Sequence, residues 1–207
     1  MDNVLLADIG NTYFHIYDGI KIEHLRYEDA IEKYKEKELL YISVKHQLLD
    51  KIAHIKTWKN ISSFMKIKGE YETMGVDRKA LCLSHDNGVF IDAGSAITVD
   101  VVEGGVYQGG FILPGVQAYL ESYRGISAVL DSSLDKSLSL KSLPKTTKEQ
   151  ISYGIIASIK ALIDTHSIDK KLYFTGGDGQ FLSSYFDNAI YDEMLVFNGM
   201  QEALEDR

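Results

Sequence analysis

Two short stretches carry one pattern of chemistry-bearing residues, an aspartate, a glycine two positions on, then a small polar residue. Asp8-Ile9-Gly10-Asn11 closes an apolar run near the amino terminus, and Asp92-Ala93-Gly94-Ser95 closes another near the middle. Glycine tolerates the positive φ of a tight turn, and successive amides in such a turn can converge on an anion. A carboxylate beside that turn cannot itself hold a phosphate, but it can hold the Mg2+ that a phosphate carries. Aspartate-x-glycine alone mostly makes turns. Here the whole pattern recurs, with Asp8 on Asp92, Gly10 on Gly94 and Asn11 on Ser95, which points to phosphate handling and to an internal duplication.

A third group, Gly75-Val76-Asp77-Arg78, combines a carboxylate able to take a proton with a guanidinium fork able to bind a carboxylate at two points. Its structural alternative is a helix cap, because an aspartate at a helix start satisfies free amides and complements the dipole. Thr175-Gly176-Gly177-Asp178-Gly179 is a further glycine-rich turn that opens a helix, a weak nucleotide signal by itself.

These groups need rigid elements behind them. Each copy of the repeated pattern reads as strand, turn and alternating second strand, with hairpins closed at Asp18-Gly19 and Gly104-Gly105. The chain then predicts a strand over 20–25, a helix over 27–37, a strand over 39–44, a helix over 45–55 and a strand over 61–65. That order, β-β-β-α-β-α-β, is the order of an RNase H-like lobe. Further on, the pattern predicts a helix near 77–85, a strand over 106–113, a helix over 116–130 with Tyr119 and Tyr123 along one side, and an irregular, mobile loop over 131–144. A long helix follows Thr146-Thr147, either of which can cap it with Glu149 or Gln150 as partner. Strands over 171–174 and 194–197 and a short helix over 199–205 complete the expectation. Two duplicated lobes, 1–86 and 87–207, mixed β-sheets flanked by helices, are therefore expected.

At 207 residues, 45% apolar and 25% charged, the chain has ample material for a folded core. A net charge of -8 argues against nucleic acid as the main partner, since backbone phosphates demand a basic face. No apolar run has the length of a membrane span, and no basic leader segment is visible. A single cysteine, Cys82, rules out an internal disulfide and fits a cytoplasmic protein.

Asp8-x-Gly-Asn-Thr12, Gly75-x-Asp-Arg78, Asp92-x-Gly-Ser-x-x-Thr-x-Asp100, Gly109-Gly-x-Ile-x-Pro-Gly115 and Thr175-Gly-Gly177 occur in that order. Together they resemble the type III pantothenate kinases, over nearly the whole chain, and that family belongs to the actin-like superfamily of acetate and sugar kinases. The resemblance implies ATP-dependent phosphorylation of pantothenate, the first step towards coenzyme A, by a homodimer that needs Mg2+ and a monovalent cation, K+ or NH4+. It places Asp8, Ile9, Gly10, Asn11, Thr12, Tyr13, Phe14 and His15 where the family binds ATP phosphates, with Ser95 as the second-hairpin counterpart and Asp8 on Mg2+. Asp77 matches the proton acceptor. Tyr71, Gly75, Val76, Asp77 and Arg78 match pantothenate contacts, Asp92 matches the monovalent-cation ligand, and Thr147 matches a substrate contact at the dimer interface. Ser95 stands where threonine is usual and Thr146 where asparagine is common.

Two other functions share these features. The hairpins specify phosphate handling and not the acceptor, so another small-molecule kinase of the superfamily fits them. A non-catalytic regulator is the alternative of a different class, since family members have been labelled Bvg accessory factors. The acidic composition and the lack of a recognisable DNA-reading element speak against direct DNA binding.

Overall fold

The structure, a computed structural model, describes residues 4–205. The chain forms two compact units. The first comprises the residues up to Asp86, Val102–Gln108 and the segment from Glu193 on; the second comprises Asn87–Val101 and Gly109–Asp192.

In the first unit a five-stranded sheet runs in the order β3-β2-β1-β4-β5. Its strands are β1 (Leu5–Ile9), β2 (Phe14–Tyr17), β3 (Ile22–Leu25), β4 (Leu39–Ser43) and β5 (Trp58–Asn60). β1 pairs antiparallel with β2 and parallel with β4, so the strand bearing Asp8 is central. A central strand is covered on both faces, which is why Leu5, Leu6 and Ala7 are buried in succession instead of in alternation, with Ile9 buried beyond Asp8. Phe14 and Ile16 alternate with half-exposed neighbours in β2 and point into the same core.

The second unit repeats this plan. Its sheet, β10-β9-β6-β7-β8, is built from β6 (Gly88–Ala93), β7 (Ala96–Glu103), β8 (Val106–Pro114), β9 (Leu172–Thr175) and β10 (Ala189–Tyr191). Counted within each unit, both sheets have the strand order third, second, first, fourth, fifth. β9 pairs parallel with β6 and with β10, as β4 does with β1 and β5. The repeated aspartate pattern thus reflects two copies of one RNase H-like sheet.

Helices α1 (Tyr27–Tyr34), α2 (His46–Ile52), α3 (Val76–Leu83) and α7 (Leu195–Glu205) belong to the first unit. Helices α4 (Val116–Ile126), α5 (Thr147–His166) and α6 (Gly179–Ser183) belong to the second. In α5 the residues Ile151, Ile155, Ile159 and Ile163 recur every four positions and are buried on the sheet with Val89, Ile91 and Val99.

Three expected elements differ. The strand near 61–65 is β5, three residues earlier: Trp58 stands beside Leu39 in the register, and Asn60 Oδ1 accepts from Ser62 N at 2.8 Å, turning the chain into a 3-10 turn (Ser62–Phe64). Ile61 and Met65 are buried from that turn instead of from a strand. The apolar run 194–197 opens a helix, because Leu195, Val196, Gly199 and Met200 make one helical face, and a β-carbon on Gly199 would collide with the Ala80 carbonyl of α3. The last strand lies earlier, at Ala189–Tyr191. Helix α4 ends at Ile126, where Ser127 turns to extended geometry, although Gly125 does not interrupt it. The irregular segment after it is tied down: Asp135 N donates to Ser152 Oγ at 2.8 Å and Tyr185 Oη to the Leu138 carbonyl at 3.1 Å. Among the described residues no helix is long and apolar enough to cross a membrane.

Candidate active site

The functional residues fall into three groups, two in the first unit and one in the second. The first group is the β1–β2 turn. Gly10 N donates to the Tyr13 carbonyl at 3.1 Å and closes the turn, leaving Asn11, Thr12 and Tyr13 exposed. Asp8 is half-buried at the end of β1, opposite His15 across the hairpin. Ile9 and Phe14 are wholly buried core residues that anchor the turn instead of lining it. Behind the turn, Tyr27 Oη donates to the Gly10 carbonyl at 2.9 Å and Lys45 Nζ to the Asn11 carbonyl at 3.0 Å.

His15 also pairs across strands with His24, their Nδ1 atoms 2.6 Å apart and their rings edge to face. Burial, reinforced by the neighbouring His24 and only partly offset by Glu193, pushes the His15 imidazole down to about 4. It is therefore neutral at pH 7, and one proton serves the bond between the two rings.

The second group surrounds the start of α3. The helix begins at Val76, one residue before the sequence suggests, so Gly75 occupies the N-cap position and Asp77 the first turn. Asp77 is thus not the capping residue; its Oδ1 accepts from Arg78 N at 2.8 Å. A β-carbon on Gly75 would come within 2.5 Å of that same oxygen, so a larger residue there would push the Asp77 carboxylate aside. Arg78 is only 7% exposed, with Nη1 donating to Tyr71 Oη at 2.6 Å and Nη2 to Tyr107 Oη at 3.3 Å. Glu70 braces the segment ahead of Tyr71, accepting from Lys79 Nζ and from Ile67 N, both at 2.8 Å. The structure therefore gathers Tyr71, Gly75, Val76, Asp77 and Arg78 at one helix start.

The third group lies in the second unit. Asp92 stands beside Thr175 in the β6–β9 register, and Gly176 follows with φ 84. Asp178 N donates to the Ala93 carbonyl at 2.9 Å, so the glycine-rich turn after β9 is laced to the turn after β6. The Ser95 hydroxyl is on an exposed residue of that second turn. Thr147 is elsewhere, exposed at the first position of α5, while Thr146 is the cap: its Oγ1 accepts from Glu149 N and donates to Glu149 Oε2 at 2.7 Å. Among the described residues no cluster of three or more His, Cys, Asp or Glu suited to a metal ion is found.

The family model described as type III pantothenate kinase matches residues 43–168. A type III pantothenate kinase of Helicobacter hepaticus is 44% identical over 206 residues, covering 98% of each chain. The chain belongs to the type III pantothenate kinase family. A crystal structure from Campylobacter jejuni, described as a Baf-family transcriptional activator, is 38% identical with a TM-score of 0.90 and covers 98% of both chains. The ADPNP-bound activator of 2-hydroxyisocaproyl-CoA dehydratase from Clostridium difficile is 10% identical, with a TM-score of 0.57 over 98% of this chain and 96% of its own, a likeness of fold alone. The family's fold is thus present in full: two actin-like, RNase H-like lobes with mixed sheets flanked by helices.

Sequence patterns do not single out Tyr107, Tyr27 or Lys45. Tyr107 reaches Arg78 because its amide donates to the Lys68 carbonyl at 2.8 Å, a pairing made 39 residues away along the chain. Tyr27 and Lys45 sit at element ends with no motif around them; nothing in their spacing announces the turn they support.

Proposed function

We propose that this member of the family transfers the γ-phosphoryl group of ATP to the 4'-hydroxyl of pantothenate, the entry to coenzyme A synthesis. The observation that carries the reading is Asp77: its carboxylate is oriented by Arg78 N beside a guanidinium fork anchored on two tyrosines. A non-catalytic relative has no use for such a proton acceptor.

In this reading the hydroxyl oxygen of pantothenate forms a bond to the γ-phosphorus, the bond to the β–γ bridging oxygen breaks, and the hydroxyl proton passes to Asp77. Phosphoryl transfer is largely positioning and charge stabilisation, so little more chemistry is asked of the protein. Arg78 meets the pantothenate carboxylate, with Tyr71, Gly75 and Val76 shaping the rest of the acceptor subsite. The turn from Asp8 to His15 receives the ATP phosphates, and in the second unit the corresponding turn offers the Ser95 hydroxyl to ATP.

The residues present suit the implied ions. Asp8 is a single hard-oxygen ligand at a strand end, the kind that shares Mg2+ with substrate phosphates, and the bound ion would neutralise phosphate charge. Asp92 lies against the backbone turn at Gly176, which offers carboxylate and carbonyl oxygens to a monovalent cation, K+ or NH4+. Thr147 would complete the acceptor subsite of a partner in a homodimer. Along the chain the division into lobes 1–86 and 87–207 holds with the exception of Val102–Gln108 and the segment from Glu193 on, which belong with the first unit, and the protein works in the cytoplasm without nucleic acid or membrane.

The test is ADP release coupled to pantothenate addition, with Mg2+ and K+ present. Pantothenate-dependent turnover is expected; its absence from folded protein, with release restored by a sugar or acetate, would assign another acceptor. The regulatory description of the Campylobacter jejuni relative favours a second reading, and folded wild-type protein that releases no ADP with pantothenate, sugars or acetate would speak for it.

A further inference from the structure

The β1–β2 turn is held from behind through its carbonyls. Tyr27 Oη donates to the Gly10 carbonyl at 2.9 Å, and Lys45 Nζ donates both to the Asn11 carbonyl at 3.0 Å and to Tyr27 Oη at 3.0 Å. The ammonium also lies 4.1 Å from the centre of the Tyr27 ring, a cation–π distance. Tyr27 is itself fixed at the first position of α1, edge to face on the buried Phe14 ring at 5.6 Å. Lys45 is fixed by its amide, which donates to Ser43 Oγ at 3.1 Å just beyond β4.

A trans peptide points its carbonyl and its amide in opposite directions. Anchoring the Gly10 carbonyl therefore sets the direction of Asn11 N–H, and anchoring the Asn11 carbonyl sets that of Thr12 N–H. Both amides face away from the Tyr27–Lys45 side. A hydrogen bond to the carbonyl further polarises each peptide, and a cationic donor does so more strongly than a neutral one. The ammonium adds a positive charge behind a turn whose residues carry no cation of their own between Asp8 and Phe14.

We infer that Tyr27 and Lys45 are positioning residues that hold the Gly10–Asn11 and Asn11–Thr12 peptides with the Asn11 and Thr12 amides aimed for phosphate. The inference rests on the reading of this turn as the ATP-phosphate site and adds two residues that no motif contains. It assigns them no contact with the reacting atoms: they act through the backbone of the turn.

The experiment is equilibrium binding of MgATP to the full chain without acceptor, followed by steady-state kinetics. Tyr27→Phe keeps the ring on Phe14 and deletes the link to Gly10; Lys45→Met deletes the charge and the link to Asn11; Lys45→Arg keeps a cationic donor. MgATP affinity is expected to fall roughly five- to thirtyfold in Tyr27→Phe and Lys45→Met and to recover in part in Lys45→Arg. The KM for pantothenate at saturating ATP and the melting temperature without nucleotide should both stay near wild type, which a merely structural role would not allow. Wild-type binding of MgATP with Tyr27→Phe and Lys45→Met within twofold of it overturns the inference alone. No MgATP binding by the wild-type protein overturns the nucleotide reading from which it starts.

Discussion

Gly176 and Asp92 are packed so closely that no side chain fits between them: a β-carbon on Gly176 would collide with Asp92 Oδ1 and would lie 2.7 Å from the Ala93 carbonyl. With φ 84 at Gly176, the position is closed to other residues by conformation as well as by space. The carboxylate proposed to hold a monovalent cation is thus pressed against a backbone turn.

Asp92→Asn preserves that packing and removes the charge. Activation of turnover by K+ should fall by an order of magnitude or more, while the Mg2+ dependence changes little. Titrating each ion against rate in the variant checks this, and an equal loss of both responses would argue for one shared ion site.

Asp77→Asn separates a base from a helix-start ligand. Asparagine keeps an oxygen able to accept from Arg78 N, which Asp77 does at 2.8 Å, so α3 should stay intact. Loss of the proton acceptor alone should lower kcat by roughly 10²–10⁴-fold with both KM values nearly unchanged. Turnover near wild type would leave Asp77 a structural role.

Much of this was legible in the sequence because the repeat is a property of strands. Apolar runs ending at Asp8 and Asp92 placed β1 and β6, and the matching strand orders follow from the same duplicated plan. The 194–197 run is ambiguous in the sequence because four apolar residues satisfy a strand and a helix alike; the burial of Gly199 against Ala80, which decides between them, is a tertiary fact. At the site, Asp77 and Arg78 are neighbours along the chain and so were visible together. Tyr107 was not, since it arrives through a hairpin folded back on Lys68.

Stability should weaken on the acid side because of His15. Its folded value of about 4 lies below the ordinary value near 6.5, so above pH 6.5 the group contributes no pH dependence. As pH falls from 6.5 towards 4, the unfolded chain takes up a proton that the folded one refuses, and stability drops by on the order of 1–3 kcal/mol. His15→Gln should flatten that part of a melting-temperature profile taken from pH 7 to 4. An unchanged slope would show that other groups control it.

Arg78 offers the sharpest test of acceptor recognition, because the tyrosines that hold it can be altered without touching its charge. Its Nη1 bond to Tyr71 at 2.6 Å is shorter than its Nη2 bond to Tyr107 at 3.3 Å, and the group is buried, so each lost partner loosens a fork that needs both arms fixed. If the fork binds the pantothenate carboxylate, Tyr107→Phe should raise the pantothenate KM about two- to fivefold and Tyr71→Phe by more, with the ATP KM unchanged. The two effects should not simply add, since both act on one guanidinium. Pantothenate analogues with the carboxylate replaced by an amide should bind all variants equally weakly. If the two phenylalanine variants discriminate acid from amide as well as the wild type does, then Arg78 is holding Tyr71 and Tyr107 in place for the fold and the carboxylate is recognised elsewhere.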